Sequence, residues 1–507
     1  MVTSLGGILG EKATRRTAMA TGLGAAALVV TEFAMGKTAP AAVRAAAVSP
    51  RPKPNILLIT FDALSAEDMS LYGYRLPTTP NIDAFARQST VFTNFYSGST
   101  FTTPSVATIL TGLYPSESHV YQLPGRLPDA NGGKSLPHLM RAAGYATGAS
   151  ISNPAAYYLA AGLASDYDSL PEGPYRSGKL KDLWDATEWL HQRSPVGGRL
   201  DEYWDLEAAW DFVPRHLEKL NPRRFGRFDS GYPPAASFDQ AREILAKLPD
   251  GYFLWVHVMA PHGPYLPDPA DRGRFLATDE VRTDIEQNDF PWMPHYTPDQ
   301  QAHVDKVRLR YDEFIVSLDR AFGAFMSDLE REGRLKDTAT IVSADHGESF
   351  EGGDFFHVNP DQTRPTIHIP LIIRTPGQQE GRRVATAADQ SALAPTILNL
   401  AGQPQPKWMP GRSLTGWLNG DGQGVGLAFT EYLNTDSIYG RLRNGTVGVI
   451  DGQYQYLLDL ATGKGILRPL SEAQNWNVDR SAEFPEAAAK LRAAIYARFP
   501  DLPHRTG

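Results

Sequence analysis

The sequence predicts an α/β fold: a doubly wound, mostly parallel sheet flanked by helices, followed by a small C-terminal antiparallel sheet and helix. Several runs are almost continuously apolar and rich in β-branched residues, which is typical of strands buried on both faces of a parallel sheet. These runs alternate with amphipathic helical segments, as in a doubly wound sheet. With 507 residues the chain is long enough for one large domain and a smaller one.

Charge and cysteine content exclude several classes of site. The formal net charge is −8, and the pI is about 5.9, so no general attraction to nucleic acid or anionic membranes is expected. An anionic substrate must therefore be held by a local site. The chain has no cysteine, which excludes disulfides, thiolate metal sites and a cysteine nucleophile.

The first 47 residues have the pattern of an export signal. Arg15 and Arg16 precede an apolar run from Ala18 to Val30, and a stretch of small residues follows. Paired arginines indicate the twin-arginine type of signal, and we expect a periplasmic or extracellular protein. The alternative is an uncleaved N-terminal anchor, although the run is short and rich in glycine and alanine for a membrane span.

The first predicted strand follows a proline-rich linker at 48–54, and it ends in a carboxylate. Asn55–Phe61 is almost entirely apolar, and Asp62 stands at its carboxyl end, the edge of an open α/β sheet where ligands bind. The next predicted elements are a helix at Thr79–Arg87, a strand at Thr90–Tyr96, a helix at Leu136–Ala143 and a strand at Tyr145–Ser150.

Between these elements lies a turn that runs directly into a short apolar helix, Phe101–Gly112. We expect Pro104 at the first helical position, with a hydroxyl residue before it as the cap. Thr102 would then lie where unpaired backbone N–H groups and the positive end of the helix dipole converge, which favours an anion. Taken alone, such a segment is also an ordinary helix start.

In the second half of the large domain, two further predicted strands end at the same edge of the sheet. Residues 153–248 lack clear periodicity and are interpreted as an insertion over that edge, a position that shapes substrate choice. A strand at Thr338–Ser343 delivers Asp345 and His346. The other predicted elements are strands at Tyr252–Met259 and Ile369–Arg374, helices at Val307–Glu332 and Gln390–Leu400, and, within a C-terminal subdomain at 426–507, strands at Thr446–Ile450 and Gln455–Leu458 and a helix at Pro485–Arg498.

Asp62, Asp345 and His346 are predicted to lie at neighbouring strand ends, where the Thr102 oxygen would complete a tetrahedral metal site. Oxygen and imidazole ligands together suit Zn²⁺ or Mn²⁺, with Mg²⁺ or Ca²⁺ as alternatives. Such a cation lowers the pKa of a hydroxyl and makes it a usable nucleophile. An aspartate at a strand end is by itself most often a cap or turn former.

Five motifs, in their order along the chain, resemble those of the sulfatase family in the alkaline phosphatase superfamily. The resemblance covers about 54–420 and implies an alkaline-phosphatase-like fold with a small C-terminal sheet and helix. The motifs are Asn55–Asp62, Thr102–Pro115, Trp255–His262, Ser343–Glu348 and Ile369–Ile372.

The resemblance also assigns roles to single positions. Thr102 falls where sulfatases have the cysteine that becomes formylglycine, and Asp62, Asp345 and His346 fall on metal-ligand positions. His262 falls where the family places a histidine near the ester oxygens, and His357 matches a lysine or histidine position of the same kind. His257 and His368 are equally well explained as structural histidines.

Three positions depart from the sulfatase pattern. Thr102 cannot become formylglycine, Val106 replaces an arginine beside the nucleophile, and Ala63 replaces a second metal-binding aspartate. These changes make the site similar to that of the phosphoethanolamine and phosphoglycerol transferases of the same superfamily. In those enzymes a metal-bound threonine takes the phosphoryl group.

The sequence therefore predicts an exported, metal-dependent hydrolase that cleaves phosphate or sulfate esters through Thr102 and a covalent enzyme ester. The expected substrate is a small molecule, a glycan or a lipid head group that carries such an ester. Two alternatives stay open: a phosphotransferase that passes the group to an alcohol, and a binding protein that kept the fold without catalysis.

Overall fold

A computed structural model describes residues 53–123, 125–171, 232–277, 295–424, 426–434 and 441–503, all of which belong to one compact unit. The strands are β1 (Asn55–Asp62), β2 (Thr90–Tyr96), β3 (Ala146–Ile151), β4 (Tyr252–Pro261), β5 (Thr338–Ala344), β6 (Leu371–Arg374), β7 (Arg382–Asp389), β8 (Ala428–Tyr432), β9 (Thr446–Ile450), β10 (Tyr454–Asp459) and β11 (Gly465–Pro469). The longer helices are α1 (Pro80–Ala86), α2 (Thr102–Thr111), α3 (Leu136–Ala142), α4 (Pro154–Ala161), α5 (Pro234–Leu245), α6 (Gln301–Arg331), α7 (Leu393–Leu400) and α8 (Pro485–Arg498). Short α-helical turns cover Pro115–Ser118, Arg364–Ile367 and Thr415–Asn419, and 3₁₀ turns cover Ala66–Asp68, Ser70–Tyr72, Asp129–Lys134, Ala164–Asp166, Pro298–Gln300, Gln390–Ala392 and Leu470–Asn475.

The main sheet has seven strands in the described part of the chain, in the order β3-β4-β1-β5-β6-β2-β7. Strand β6 runs antiparallel to both of its neighbours, while the other pairs are parallel. β1 lies between β4 and β5, and all eight of its residues are buried, as its apolar sequence predicts. The carboxyl ends of these three parallel strands consequently meet at one edge.

Two groups of helices flank the main sheet and bury its faces. In one group α6 packs against α1 and α5, and in the other α2 packs against α3, α4 and α7. The predicted α/β architecture is confirmed. Among the described residues, no helix combines the length and the apolar character needed to cross a membrane.

The small sheet forms a second core with the last helix. Its strands pair antiparallel in the order β11-β10-β9-β8. Leu491 and Ile495 of α8 pack with Val447 and Val449 of β9 in one buried cluster. The predicted C-terminal sheet and helix are therefore confirmed, and the structure adds β8 and β11 to the two strands expected from the sequence.

The structure describes the two ends of the predicted insertion at 153–248. Its first part contains α4, which packs against β3 and α2, and its last part contains α5, which packs against β3, β4 and α6. These two ends pack with the helical layers, and the insertion itself stays a prediction. The middle of the insertion, 172–231, and the export signal at 1–47 lie outside the described residues.

His368, left open by the sequence, has a structural role. Its Nδ1 lies 2.6 Å from Glu67 Oε1 and its Nε2 lies 2.9 Å from the backbone oxygen of Thr93. Both contacts hold the ring between the Glu67 carboxylate and the backbone of β2. Arg364 Nε also donates to Glu67 Oε1, at 2.6 Å. The cluster ties β2 to the turn at 66–68.

Replacing Glu67 with glutamine should lower stability at neutral pH but not in strong acid. Burial raises the pKa of Glu67, but His368 and Arg364 outweigh this effect and hold the pKa at about 2, below the ordinary value of 4.5. The stabilisation is therefore complete above pH ~4.5 and is lost as the pH falls toward 2. Urea unfolding of wild-type protein and Glu67→Gln at pH 7, 5 and 3.5 should show a difference that shrinks below pH 5. A difference that stays constant down to pH 3.5 would contradict this.

Candidate active site

Two buried carboxylates face each other where β1 and β5 end. Asp62 is the last residue of β1, and Asp345 directly follows β5. Both side chains are fully buried. Ala63, which follows Asp62, has a left-handed backbone with φ of 59°, a conformation that costs a non-glycine residue energy. The turn at Ala63 directs the chain out of the sheet beside Asp345.

Backbone groups hold Asp345 with one oxygen free. Oδ1 accepts hydrogen bonds from the N–H groups of Ala63, at 3.2 Å, and His346, at 2.7 Å. Oδ2 has no hydrogen-bond partner among the described residues. Gly347 must be a glycine here, because a Cβ at this position would lie 2.0 Å from the backbone oxygen of Pro365. These contacts fix the segment that carries Asp345 and His346.

His346 presents a lone pair to both carboxylates. Its Nδ1 lies 3.0 Å from the backbone oxygen of Gly347, so Nδ1 carries the proton and donates it. Nε2 lies 3.4 Å from Asp62 Oδ1 and 3.7 Å from Asp345 Oδ2. Burial lowers the pKa of His346, which favours the neutral, metal-binding form.

Thr102 lies in the first turn of α2 and points at the same place. Its Oγ1 is 3.3 Å from His346 Nε2, and the residue is 3% exposed. The cap residue is Phe101, and within the described ranges no side chain caps the first N–H groups of the helix, which suits them to an anionic ligand. The predicted place of Pro104 is wrong, since it is the third helical residue. The helix ends at Gly112, whose φ of 70° suits glycine.

The donor atoms around this point fit a divalent cation. Asp62 Oδ1, Asp345 Oδ2 and His257 Nε2 are buried and have no hydrogen-bond partner within the described ranges. Buried polar atoms without partners are rare, and two facing carboxylates with an imidazole are a hard donor set suited to Zn²⁺ or Mn²⁺. Ligand atoms of Asp62, His257 and Asp345 all lie within 4.8 Å of one another.

His257 was left open by the sequence, and the structure places it beside the metal-ligand positions. Its Nε2 lies 3.8 Å from Asp62 Oδ2 and 3.9 Å from Asp345 Oδ2. Its Nδ1 lies 2.8 Å from Thr60 Oγ1, which also accepts a hydrogen bond from the Trp255 indole at 2.9 Å. The Thr60 hydroxyl fits either tautomer, so His257 is able to coordinate a cation or to donate to a carboxylate.

The pKa values of the two aspartates diverge for physical reasons. Burial raises the pKa of Asp345 well above its ordinary value, and the charge of Asp62 adds to that effect. Burial also acts on Asp62, but the neighbouring imidazoles, His262 foremost, outweigh it and hold the pKa of Asp62 below its usual value. Without a cation, like-charge repulsion in a medium of low dielectric constant therefore opposes the simultaneous ionisation of both carboxyl groups.

His262 and His357 complete a cluster of imidazoles with His346. Ring centroids of His262 and His357 lie 4.9 Å apart, and those of His346 and His357 lie 4.2 Å apart. His262 Nδ1 donates to the backbone oxygen of Gly263 at 2.6 Å, which turns Nε2 away from that carbonyl. His357 Nδ1 lies 2.9 Å from Glu348 Oε1. Burial, aided by the two other imidazoles, lowers the pKa of His357 well below its ordinary value.

The structure thus brings together every residue that the sequence nominated for the site. Val106, the position of the missing arginine, is fully buried. Sequence reasoning missed Glu348, which follows Asp345 and His346 in the same motif, and Asn153, whose Nδ2 donates a short hydrogen bond to Asp62 Oδ2. The signal in the sequence for Asn153 was an Asn-Pro pair three residues after the end of a predicted strand, at the ligand-binding edge.

A family model confirms the resemblance. The model for sulfatases matches residues 54–403, well over half of the chain. The chain belongs to the sulfatase family. The endo-4-O-sulfatase of Bacteroides thetaiotaomicron is 25% identical over 354 residues, and the ulvan-active sulfatase of Formosa agariphila is 23% identical over 372 residues. These matches cover 64% and 72% of this chain and 62% and 64% of the two relatives.

A solved structure supports the fold. The phosphonate monoester hydrolase of Agrobacterium radiobacter superimposes with a TM-score of 0.61 over 89% of this chain and 96% of that one. Its sequence identity is 19%, so the likeness concerns the fold. The predicted alkaline-phosphatase-like architecture is confirmed, and within the sulfatase family divalent metal ions are general.

Replacing Asp345 with asparagine should weaken metal binding without destabilising the metal-free protein. An asparagine keeps an oxygen for the two backbone N–H groups, replaces the free Oδ2 with an amide, and removes the repulsion with Asp62. We expect Mn²⁺ affinity measured by calorimetry to fall at least about tenfold, while thermal unfolding in EDTA occurs at an unchanged or higher temperature. Wild-type affinity in this variant would exclude Asp345 as a ligand.

Proposed function

We propose that this protein is a metal-dependent ester hydrolase in which Thr102 is the nucleophile and phosphate esters are preferred over sulfate esters. The observation that carries the proposal is the 3.3 Å contact between Thr102 Oγ1 and His346 Nε2, beside two carboxylate oxygens that have no partner within the described ranges. A threonine hydroxyl at the start of a helix, a neutral imidazole and paired acids form a recognisable nucleophilic site.

In the first step Thr102 Oγ attacks the phosphorus of the ester. An O–P bond forms to Thr102, the bond to the leaving alcohol breaks, and the Thr102 proton passes to solvent or a basic group. The leaving oxygen takes a proton from solvent or from His262, whose ring lies beside His346, and His357 lies next to both rings. The open N–H groups at the start of α2 hold a non-bridging oxygen.

In the second step water attacks the threonine ester. Because Thr102 carries no aldehyde, release depends on this attack at phosphorus, and the products are free Thr102 and the phosphate monoanion or dianion. Asp62, Asp345, His346 and Thr102 would hold the divalent cation, with Zn²⁺ or Mn²⁺ favoured over Mg²⁺ or Ca²⁺. When bound, such a cation lowers the pKa of a hydroxyl and offsets charge on ester oxygens.

The proposed substrates are phosphate or sulfate esters of small molecules, glycans or lipid head groups. The two relatives compared above are named as an endo-4-O-sulfatase and an ulvan-active sulfatase. Water as acceptor makes the protein a hydrolase. A phosphotransferase would instead pass the phosphoryl group to an added alcohol. It would then release less free phosphate than a hydrolase does, so phosphate release distinguishes the two activities.

Thr102→Ala should lose at least about a thousandfold in turnover, because the hydroxyl that forms the enzyme ester is gone. Thr102→Ser keeps a hydroxyl and should retain part of the activity. The assay is hydrolysis of aryl phosphate diesters, phosphonate monoesters and aryl sulfates with Mn²⁺ or Zn²⁺, and intact-protein mass spectrometry of quenched wild-type enzyme to detect the ester.

Thr103→Ala is the matched control for this test. Thr103 lies in the same helical turn and is buried, and its Oγ1 has no hydrogen-bond partner in the described part of the chain. This variant should keep near wild-type turnover. Full activity of Thr102→Ala would reject Thr102 as the nucleophile.

Export through a twin-arginine signal is a further part of the proposal, and it rests on Arg15, Arg16 and the apolar run after them. Replacing both arginines with lysine keeps the charge but removes the guanidinium groups that a receptor reads. We expect the lysine variant to accumulate in the cytoplasm, whereas wild-type protein appears in the exported fraction. Equal export of both proteins, measured by cell fractionation, would exclude this signal type.

A further inference from the structure

The turn that joins β3 to α4 sends one side chain across the sheet edge to Asp62. Asn153 is the cap residue of α4, and it is 4% exposed. β3 pairs with β4, and β4 pairs with β1, so the side chain reaches from the end of one strand to the end of the next but one. The site described above uses Asp62 as a ligand but gives Asn153 no role.

The helix cap fixes the orientation of the Asn153 amide. Its Oδ1 accepts a hydrogen bond from the Ala156 N–H at 3.0 Å, as a cap residue should. The NH₂ group must therefore lie on the opposite side, where it donates to Asp62 Oδ2. Both ends of the amide are satisfied, and a flipped amide would place oxygen against oxygen at Asp62.

The residue before Asn153 anchors this turn to the neighbouring strand. The backbone N–H of Ser152 donates to the His257 oxygen at 2.9 Å, and the Ser152 hydroxyl accepts from the Met259 N–H at 2.8 Å. Ser152 is buried and lies between β3 and β4. Asn153 consequently projects from a rigid point, not from a loop that adapts to its partner.

The two oxygens of Asp62 have different surroundings. Oδ2 receives the Asn153 amide and lies 3.8 Å from His257 Nε2. Oδ1 lies 3.4 Å from His346 Nε2 and has no hydrogen-bond partner among the described residues. Rotation of the carboxylate would exchange the two oxygens, and the amide opposes that rotation by holding one of them.

A neutral donor suits this place better than a cationic one. In the described part of the chain, the ion pairs of Asp62 and Asp345 are made to histidines alone. A lysine or arginine at position 153 would offset the charge of Asp62 and weaken its attraction for a cation. The amide orients the carboxylate and leaves its charge for the ligand role.

We propose that Asn153 is a positioning residue of the metal site: its side-chain amide holds Oδ2 of Asp62 so that Oδ1 is presented to the cation together with Asp345 and His346. The inference rests on the proposed metal site and adds to it a residue outside the predicted ligand set. Asn153 does not touch the reacting atoms and acts through Asp62.

Asn153→Ser separates this role from helix capping. Serine caps helices about as well as asparagine but is too short to place an amide on Asp62. Calorimetric titration of the full-length, metal-stripped chain with Mn²⁺ and with Zn²⁺ should show affinity about ten- to a hundredfold weaker than that of wild-type protein. Activity of the variant should recover as Mn²⁺ is raised, because the nucleophile and the imidazoles are intact. Asn153→Thr, a second capping variant, should behave in the same way if the serine protein folds poorly.

Ser135→Ala provides the matched control. Ser135 caps α3 by accepting the His138 N–H at 3.4 Å and has no part in the proposed site. Its loss should lower the unfolding temperature and leave metal affinity within about twofold of wild type.

Two results would overturn the inference, and they differ in what else they remove. Wild-type affinity in Asn153→Ser and Asn153→Thr, or an equal loss in Ser135→Ala, would show that Asn153 is a helix cap only, and the proposed function would stand. A wild-type chain that binds neither Mn²⁺ nor Zn²⁺ would overturn the proposed metal site together with this role of Asn153.

Discussion

The burial of two facing carboxylates is the constraint on which the rest of the site depends. Asp62 and Asp345 are fully buried, and each keeps one oxygen without a partner among the described residues. Removing an unpaired carboxylate from water is costly, and two of them together require a positive group between them. In the described part of the chain, the ion-pair partners of these carboxylates are histidines alone. A divalent cation would supply both the positive charge and the partner that the free carboxylate oxygens lack. Geometry and charge therefore indicate the same ligand.

The sheet topology creates that constraint. β1 lies between β4 and β5 in parallel, so the residues that end these strands, including Asp62 and the segment before His262, must share one edge with Asp345 and His346. Helix α2 enters the same edge with its N-terminus, which adds a hydroxyl and open N–H groups. Gly347, which tolerates a backbone oxygen where a side chain would clash, allows the chain to turn there. The carboxylates, the imidazoles and the Thr102 hydroxyl thus meet because the strand ends share one edge of the sheet.

Sequence patterns predicted the central strands and the site because both are strongly marked. β1 is an almost continuously apolar run that ends in Asp62, β5 is a fully buried run followed at once by Asp345, and the motifs around them are specific as a set. Weaker patterns in the sequence did not predict some other elements correctly. β7 begins with exposed arginines at the sheet edge and carries little apolar pattern. α5 falls in the predicted insertion because residues 153–248 lack clear periodicity, although it packs on the sheet. Pro104 was placed two positions too early in its helix. Asn153 and His257 depend on contacts between distant segments, which no local pattern reports.

The double role of Asn153 links the formation of the first turn of α4 to the binding of a cation at Asp62. One amide both begins α4 and orients Asp62, so a cation that favours the held carboxylate also favours the first turn of that helix. The linkage is reciprocal: order at the helix start and occupancy of the site reinforce each other by the same free energy. Amide hydrogen exchange at Ala156 would slow on metal loading even though no metal ligand belongs to α4. The start of a surface-layer helix would in this way report the state of a buried ion.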